Sequence, residues 1–289
     1  MMVVGMIGGV ALERSSRERF HQRRTIEAQR EEVARERAKS DALLRSILPA
    51  AIAARLRERP EAVAEAFEET TLLFADLVGF TGLAERLGPR RTAALLNTLV
   101  SRWDVLAAEA GVEKIKTIGD AYFAAAGVPE PQVDHARRVV DLGLAMIRVT
   151  AETSRETGEP LTIRVGVHSG PVVAGVIGKT KFSYDLWGDT VNVASRLEST
   201  GVPGEIQASA ATVERLDGAF DVFPRGEVVL KGKGPMPTFL LRPRGAVPAG
   251  DPGEAARERG VAAGEPGALG SDPEGPIDAR EPSVQSAHD

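Results

Sequence analysis

The chain has 289 residues, a net charge of -5 and an isoelectric point near 5.6. That balance excludes a nucleic-acid binder relying on a global positive field, since phosphate neutralisation needs clustered Lys and Arg. Cysteine is absent, which excludes disulfides and thiolate zinc sites and leaves oxygen and imidazole donors, a set that favours hard cations such as Mg²⁺ or Mn²⁺.

Residues 1–12 are apolar but fall well short of the roughly 20 residues that span a bilayer. Glu13, Arg14 and a dense run of charge follow at once. The segment reads either as a weakly anchored terminus or as the cytoplasmic end of a membrane helix whose upstream part lies outside this chain. The Arg-rich flank suits the second reading, because positive residues stay on the cytoplasmic side. Both readings expect a cytoplasmic protein, at the membrane face in the second.

Residues 13–67 form a helical, coiled-coil-like signalling segment. Good helix formers run without Gly or Pro from 13 to Pro49. Ile26, Val33, Ser40 and Ile47 are spaced by heptads, and Leu43, Leu44, Leu48, Ile52 and Leu56 widen the apolar face. Pro49 is expected to kink the segment or start a new helix.

Residues 68–243 read as one globular domain. Thr70 to Val78 is an apolar strand, and Arg90 to Ala110 has helical periodicity through Leu95, Leu99, Trp103 and Leu106. Val112 to Ile118 and Ala121 to Val128 read as strands joined at Gly119-Asp120. A long helix is expected from Asp134 to Thr157. Leu161 to Val167 and Val172 to Ile177 read as two strands joined by a turn at His168-Ser169-Gly170-Pro171. Thr190, acting as a cap, opens a helix running to Ser199, and short strands follow from Glu205 to Leu241. Strands mixed with helices, some joined by tight turns, give α+β rather than a βαβ repeat. Residues 244–289 carry almost no large apolar side chain, too little to offset chain entropy, and are expected to be disordered.

Three segments concentrate chemistry. Leu73 to Thr81 runs an apolar strand into Asp76 and a Gly turn, a seat for a metal and phosphates beside backbone amides. Glu113 to Phe123 places Asp120 at a second Gly turn. Two such carboxylates brought together repel unless cations sit between them, and carboxylates bridging two metals are a frame for in-line phosphoryl chemistry. In Phe182 to Leu197, Asn192 and Arg196 are four apart and share a helix face.

Taken in order, the strings FADLVGFT, KIKTIGDAYF, VGVHSGPVVAGVIG and YDLWGDTVNVASR closely resemble the class III adenylyl and guanylyl cyclase catalytic domain. The resemblance implies a ferredoxin-like α+β sandwich, two divalent ions (Mg²⁺ or Mn²⁺), and a homodimer whose active sites are shared across the interface. It implies that Asp76, Asp120 and the Leu77 carbonyl bind both metals. Backbone amides of Leu77, Val78, Gly79, Phe80 and Thr81 would cradle phosphates. Lys116 and Asp185 would read the base, and Asn192 would orient the ribose. Arg196 would stabilise transition-state charge, and Lys231 would hold the terminal phosphates, with Lys233 a second candidate. Pro171 departs from relatives that carry Arg there. His168 is expected to be structural, because it lies in a turn with no carboxylate beside it in sequence. Relatives that use GTP typically carry Glu where Lys116 stands and Cys where Asp185 stands. The resemblance therefore implies an adenylate cyclase, with a guanylate cyclase or an inactive cyclase-like module as alternatives.

Overall fold

The computed structural model describes residues 27, 29–40, 48–58, 64–178, 182–230 and 232–245. Readings that fall elsewhere, including Lys231, residues 1–12, the tail beyond 245 and the heptad positions Ile26 and Ile47, lie outside the described residues. Residues 29–40 form helix α1, and its side chains are exposed. Pro49 precedes a separate helix, α2 (Ala50–Glu58), whose first backbone bond runs from the Ala53 amide to the Pro49 carbonyl. Proline lacks an amide, so the first turn of a helix tolerates it. No described helix is long and apolar enough to cross a membrane.

The rest is an eight-stranded, mostly antiparallel sheet with helices on both faces. Its elements are β1 (Ala64–Leu77), α3 (Phe80–Ala110), β2 (Glu113–Ile118), β3 (Ala121–Ala126), α4 (His135–Thr157), β4 (Ile163–Ile177), β5 (Ser183–Trp187), α5 (Asp189–Ser199), β6 (Ile206–Ser209), α6 (Ala210–Val213), β7 (Phe220–Leu230) and β8 (Gly234–Pro243). Strand order is β2-β3-β1-β4-β6-β8-β7, with β5 added to β4 and only β4·β6 parallel. The chain is thus α+β, as expected.

Alternation along β1 sorts the two faces. Leu73, Ala75 and Leu77 join Leu99, Trp103, Val139 and Met146 under α3 and α4. Leu72 and Phe74 face the other way, onto Phe123, Tyr184, Leu186 and Ala194 of α5, with Leu48 and Ile52 of the α2 region. Phe74 and Phe123 stack at 4.3 Å between ring centroids. Asp76 is two residues beyond Phe74, so it emerges on the α5 face.

Three expectations need correction. First, β4 is one continuous strand, so His168 to Pro171 is not a turn. The break in pairing lies instead on β1, where the register shifts between Phe67 and Thr70. Pro171 sits opposite this bulge, where its missing amide costs no ladder bond. The other flank of β4 changes partner there too, from β6 at 165–167 to β5 at 173–177. Second, Thr190 does not cap α5: Gly188 is the capping residue, and the Thr190 hydroxyl donates to the Pro171 carbonyl at 2.6 Å. Helix α3 also starts earlier than its periodicity indicates, at Phe80, because helical turns stand on both sides of a break at Gly88-Pro89.

Helix α5 lies almost in contact with the β4 backbone. A Cβ on Gly166 would stand 2.1 Å from the Glu198 amide nitrogen and 2.6 Å from the Ala194 carbonyl oxygen. Both neighbours are main-chain atoms and cannot swing aside. Gly166→Ala is therefore expected to destabilise the fold by about 3 kcal/mol or more through overpacking. Urea denaturation of the variant beside the wild-type chain measures it, and an unchanged midpoint contradicts the close approach.

Candidate active site

Asp76 is the penultimate residue of β1, and Asp120 follows Gly119 in the β2–β3 turn. Pairing of Ala75 with Tyr122 brings the two carboxylates to the same end of the sheet. Burial pushes the Asp120 carboxyl up to about 6, with the neighbouring Asp76 adding to it, and the amides of Asp120 and Leu77 pull it back. A divalent cation between the two would relieve that repulsion. Among the described residues no group of three or more His, Asp or Glu is set to hold a metal. Two carboxylates suffice for a hard cation when backbone carbonyl, water and substrate phosphate complete its shell.

After β1 the chain turns at Gly79, whose φ of 70° is the left-handed value that favours glycine, and enters α3. No side chain caps this helix, and the Phe80, Thr81 and Gly82 amides precede its first backbone bond, from Leu83 to Gly79. Gly79 and Thr81 are exposed. Free amides at a positive helix end make a ready anion site, three residues from Asp76.

Lys116 and Asp185 form a direct hydrogen-bonded ion pair, although they are 69 positions apart. A bulge in β2 is what aims the lysine. Lys114 pairs with Ala124, and its ammonium reaches Asp104 at 2.7 Å on the α3 side. The register then slips, so that Lys116 pairs with Phe123. Without the slip Lys116 would share the face of Lys114; with it, the side chain crosses to the β5 face. Asp185 pairs opposite Gly175 in β4, and its second oxygen accepts from the Leu186 amide at 2.9 Å.

Asn192 and Arg196 both lie on α5, Asn192 exposed and Arg196 half-buried. The β7–β8 turn approaches Arg196: a Cβ on Gly232 would come within 3.8 Å of its guanidinium. Lys233 in that turn binds Asp189 at 2.5 Å, so it is committed to the start of α5. At 3.6 residues per turn, Glu198 points to the opposite side of the helix from Arg196. It binds Arg164 at 3.0 Å, and Arg164 reaches Asp76 at 3.3 Å. Sequence reasoning missed Arg164 and Glu198; their only signal is a basic residue in one strand and an acidic one in a helix, with no local pattern.

A family model described as the adenylate and guanylate cyclase catalytic domain matches residues 62–243. The chain belongs to this family. It is 46% identical over 221 residues to an adenylate cyclase of Mycobacterium tuberculosis, covering 76% of this chain and 49% of that protein. It is 42% identical over 209 residues to the rat guanylate cyclase soluble subunit beta-2, covering 71% of this chain and 30% of that protein. The chain thus spans half or less of the curated relatives' lengths. The solved guanylate cyclase domain of RhGC from Catenaria anguillulae, in complex with GTP, superposes with a TM-score of 0.59 at 39% identity. The match covers 62% of this chain and 99% of that one.

Within this cyclase domain His168 sits mid-strand and binds Ser209 at 2.7 Å. Burial lowers its imidazole to about 4. An unfolded histidine takes up its proton near 6.5, so between about 6.5 and 4 the unfolded chain binds more protons than the folded one. The stability associated with neutral His168 is complete above about 6.5 and is lost as pH falls to about 4, amounting to about 3 kcal/mol. His168→Gln is expected to remove that part of the acid-side slope. Urea midpoints at neutral pH and near 4.5, measured for both proteins, test it; identical slopes contradict it.

Proposed function

We propose that this cyclase domain converts ATP to 3′,5′-cyclic AMP and pyrophosphate as a homodimer, in signal transduction. The observation that carries the choice of ATP is the Lys116–Asp185 pair. Adenine offers an exocyclic amino donor where guanine offers a carbonyl acceptor. The Asp185 carboxylate accepts from that amino group and would repel the carbonyl. Lys116, donor only, serves a ring nitrogen.

The directions of the side chains on α5 support a site built from two chains. Glu198 turns inward to Arg164 and Asp76, so Asn192 and Arg196 face away from the carboxylate pair of their own chain. In a two-fold dimer each chain lends Asp76 and Asp120 to one site and Lys116, Asp185, Asn192 and Arg196 to the other.

In this reading Asp76, Asp120 and the Leu77 carbonyl would hold two Mg²⁺ or Mn²⁺ ions. The chemistry supplied by ions held there would be a lowered pKa of the ribose 3′-hydroxyl and neutralisation of triphosphate charge. The amides at the start of α3 bind phosphate oxygens. Asn192 orients the ribose so that its 3′-oxygen lies in line with the α-phosphorus. Arg196 meets the charge that builds on the α-phosphate as pyrophosphate departs. Lys231 would hold the terminal phosphates.

Two experiments test this. Replacing Lys116 by Glu and Asp185 by Cys together is expected to lower turnover of ATP and raise relative use of GTP. Product analysis with Mn²⁺ and each nucleotide reads the outcome, and an unchanged preference would falsify the base-reading assignment. Guanylate cyclase activity in the wild-type chain would favour the alternative reading. Asp76→Ala and Lys116→Ala should each be nearly inactive alone. Mixed, they form heterodimers with one doubly damaged and one intact site, and activity should return to about a quarter of wild type for random pairing. A mixture as inactive as its components, with heterodimers demonstrated, rules out shared sites.

A further inference from the structure

One charged cluster outside the residues already discussed for catalysis reaches the carboxylate pair. Arg164 stands on β4 directly opposite Asp76 on β1. Its guanidinium is divided between two acids: Nη2 is 3.3 Å from Asp76 Oδ2, and Nε is 3.0 Å from Glu198 Oε1. Glu198 is only 7% exposed, and among the described residues Arg164 is its one ion-pair partner. Its backbone is fixed by the contact of α5 with Gly166, so it cannot draw back from the sheet.

Charge-assisted N–H···O bonds usually run to about 2.7–2.9 Å, and an arginine fork can close on one carboxylate with two parallel bonds. Neither happens at Asp76, where the contact is single and, at 3.3 Å, longer than the single contact of 3.0 Å to Glu198. A guanidinium closed on Asp76 would occupy its lone pairs and cancel the charge that a divalent ion needs. Glu198 draws the same guanidinium toward the opposite side.

We propose that Glu198 is a positioning residue that holds Arg164 off Asp76 and so leaves the Asp76 carboxylate open to a divalent cation. The proposal rests on the reading that Asp76 and Asp120 hold the metals. Arg164 remains close enough to orient the carboxylate and too committed to seize it. Removing the charge of Glu198 frees the fork, and Arg164 then competes with the metal.

The experiment is Mn²⁺ binding to the full chain in the presence of the 3′-deoxy triphosphate of the nucleotide it cyclises, which supplies the phosphate ligands and cannot react, read from the electron paramagnetic resonance signal of free Mn²⁺ against the same mixture without protein. Thermal melting is recorded for every variant. Glu198→Gln is expected to weaken Mn²⁺ binding about tenfold, the usual scale for a residue behind a metal ligand. The double variant Glu198→Gln with Arg164→Met, which has no guanidinium left to close on Asp76, is expected to bind within about twofold of wild type. A merely structural Glu198 would lower the melting temperatures and leave Mn²⁺ affinity alone. Wild-type affinity in Glu198→Gln, or a double variant no better than the single one, overturns the proposal. Asp76→Asn separates the two levels. Loss of Mn²⁺ binding there upholds the metal site whatever Glu198 does. Retained binding in Asp76→Asn, or no binding by wild type, overturns the metal site and this proposal with it.

Discussion

The seating of α5 on β4 is the constraint from which the rest of the site follows. Gly166 lets the helix backbone lie against the strand, closer than any side chain would permit. Once the helix is there, its inward side must be small or paired. Ala194 and Leu197 fill the apolar part, and Glu198, the one acid on that side, needs a partner because burying a lone charge is costly. Arg164 supplies it and thereby links the helix to Asp76. The same seating turns Asn192 and Arg196 outward. Inward and outward roles on one helix of 11 residues are thus two consequences of one close contact.

A second constraint acts through register. The β2 bulge sends Lys114 to Asp104 and Tyr122 on one face and Lys116 to Asp185 on the other. The β1 bulge opposite Pro171 lets β4 run unbroken while it exchanges β6 for β5. Each irregularity is a single local slip, and the one in β2 redirects Lys116. A regular β2 would have put Lys116 on the α3 side, beside Lys114.

These slips also mark where sequence reading fails. Apolar runs locate β1 from Thr70 onward and both strands of the β2–β3 hairpin, and α4 is placed to within a residue of its start. The carboxylates Asp76 and Asp120 are legible because each ends an apolar strand at a glycine turn. His168-Ser169-Gly170-Pro171 reads as a turn because Gly and Pro punctuate most turns; only the partner strand reveals that the irregularity belongs to β1. Likewise Gly82 looks like a breaker yet lies inside α3, and Gly88-Pro89 interrupts the helix without ending it. Arg164 and Glu198 are 34 positions apart and acquire meaning only when β4 and α5 are in place.

On the proposed reading, the arrangement separates selection of a base from handling of phosphates. Lys116 and Asp185 are held by β2 and β5, whereas Asp76, Asp120 and the free amides belong to the end of β1, the β2–β3 turn and the start of α3. On the proposed reading, changing the purine requires exchange of two side chains on elements that contribute little to the metal seat. Relatives of this chain include both adenylate and guanylate cyclases at similar identity, 46% and 42%. Such closeness is compatible with a separable base pocket, in which few positions would set nucleotide preference. The proposal of ATP therefore rests on the residues at 116 and 185 rather than on the overall degree of likeness to either group.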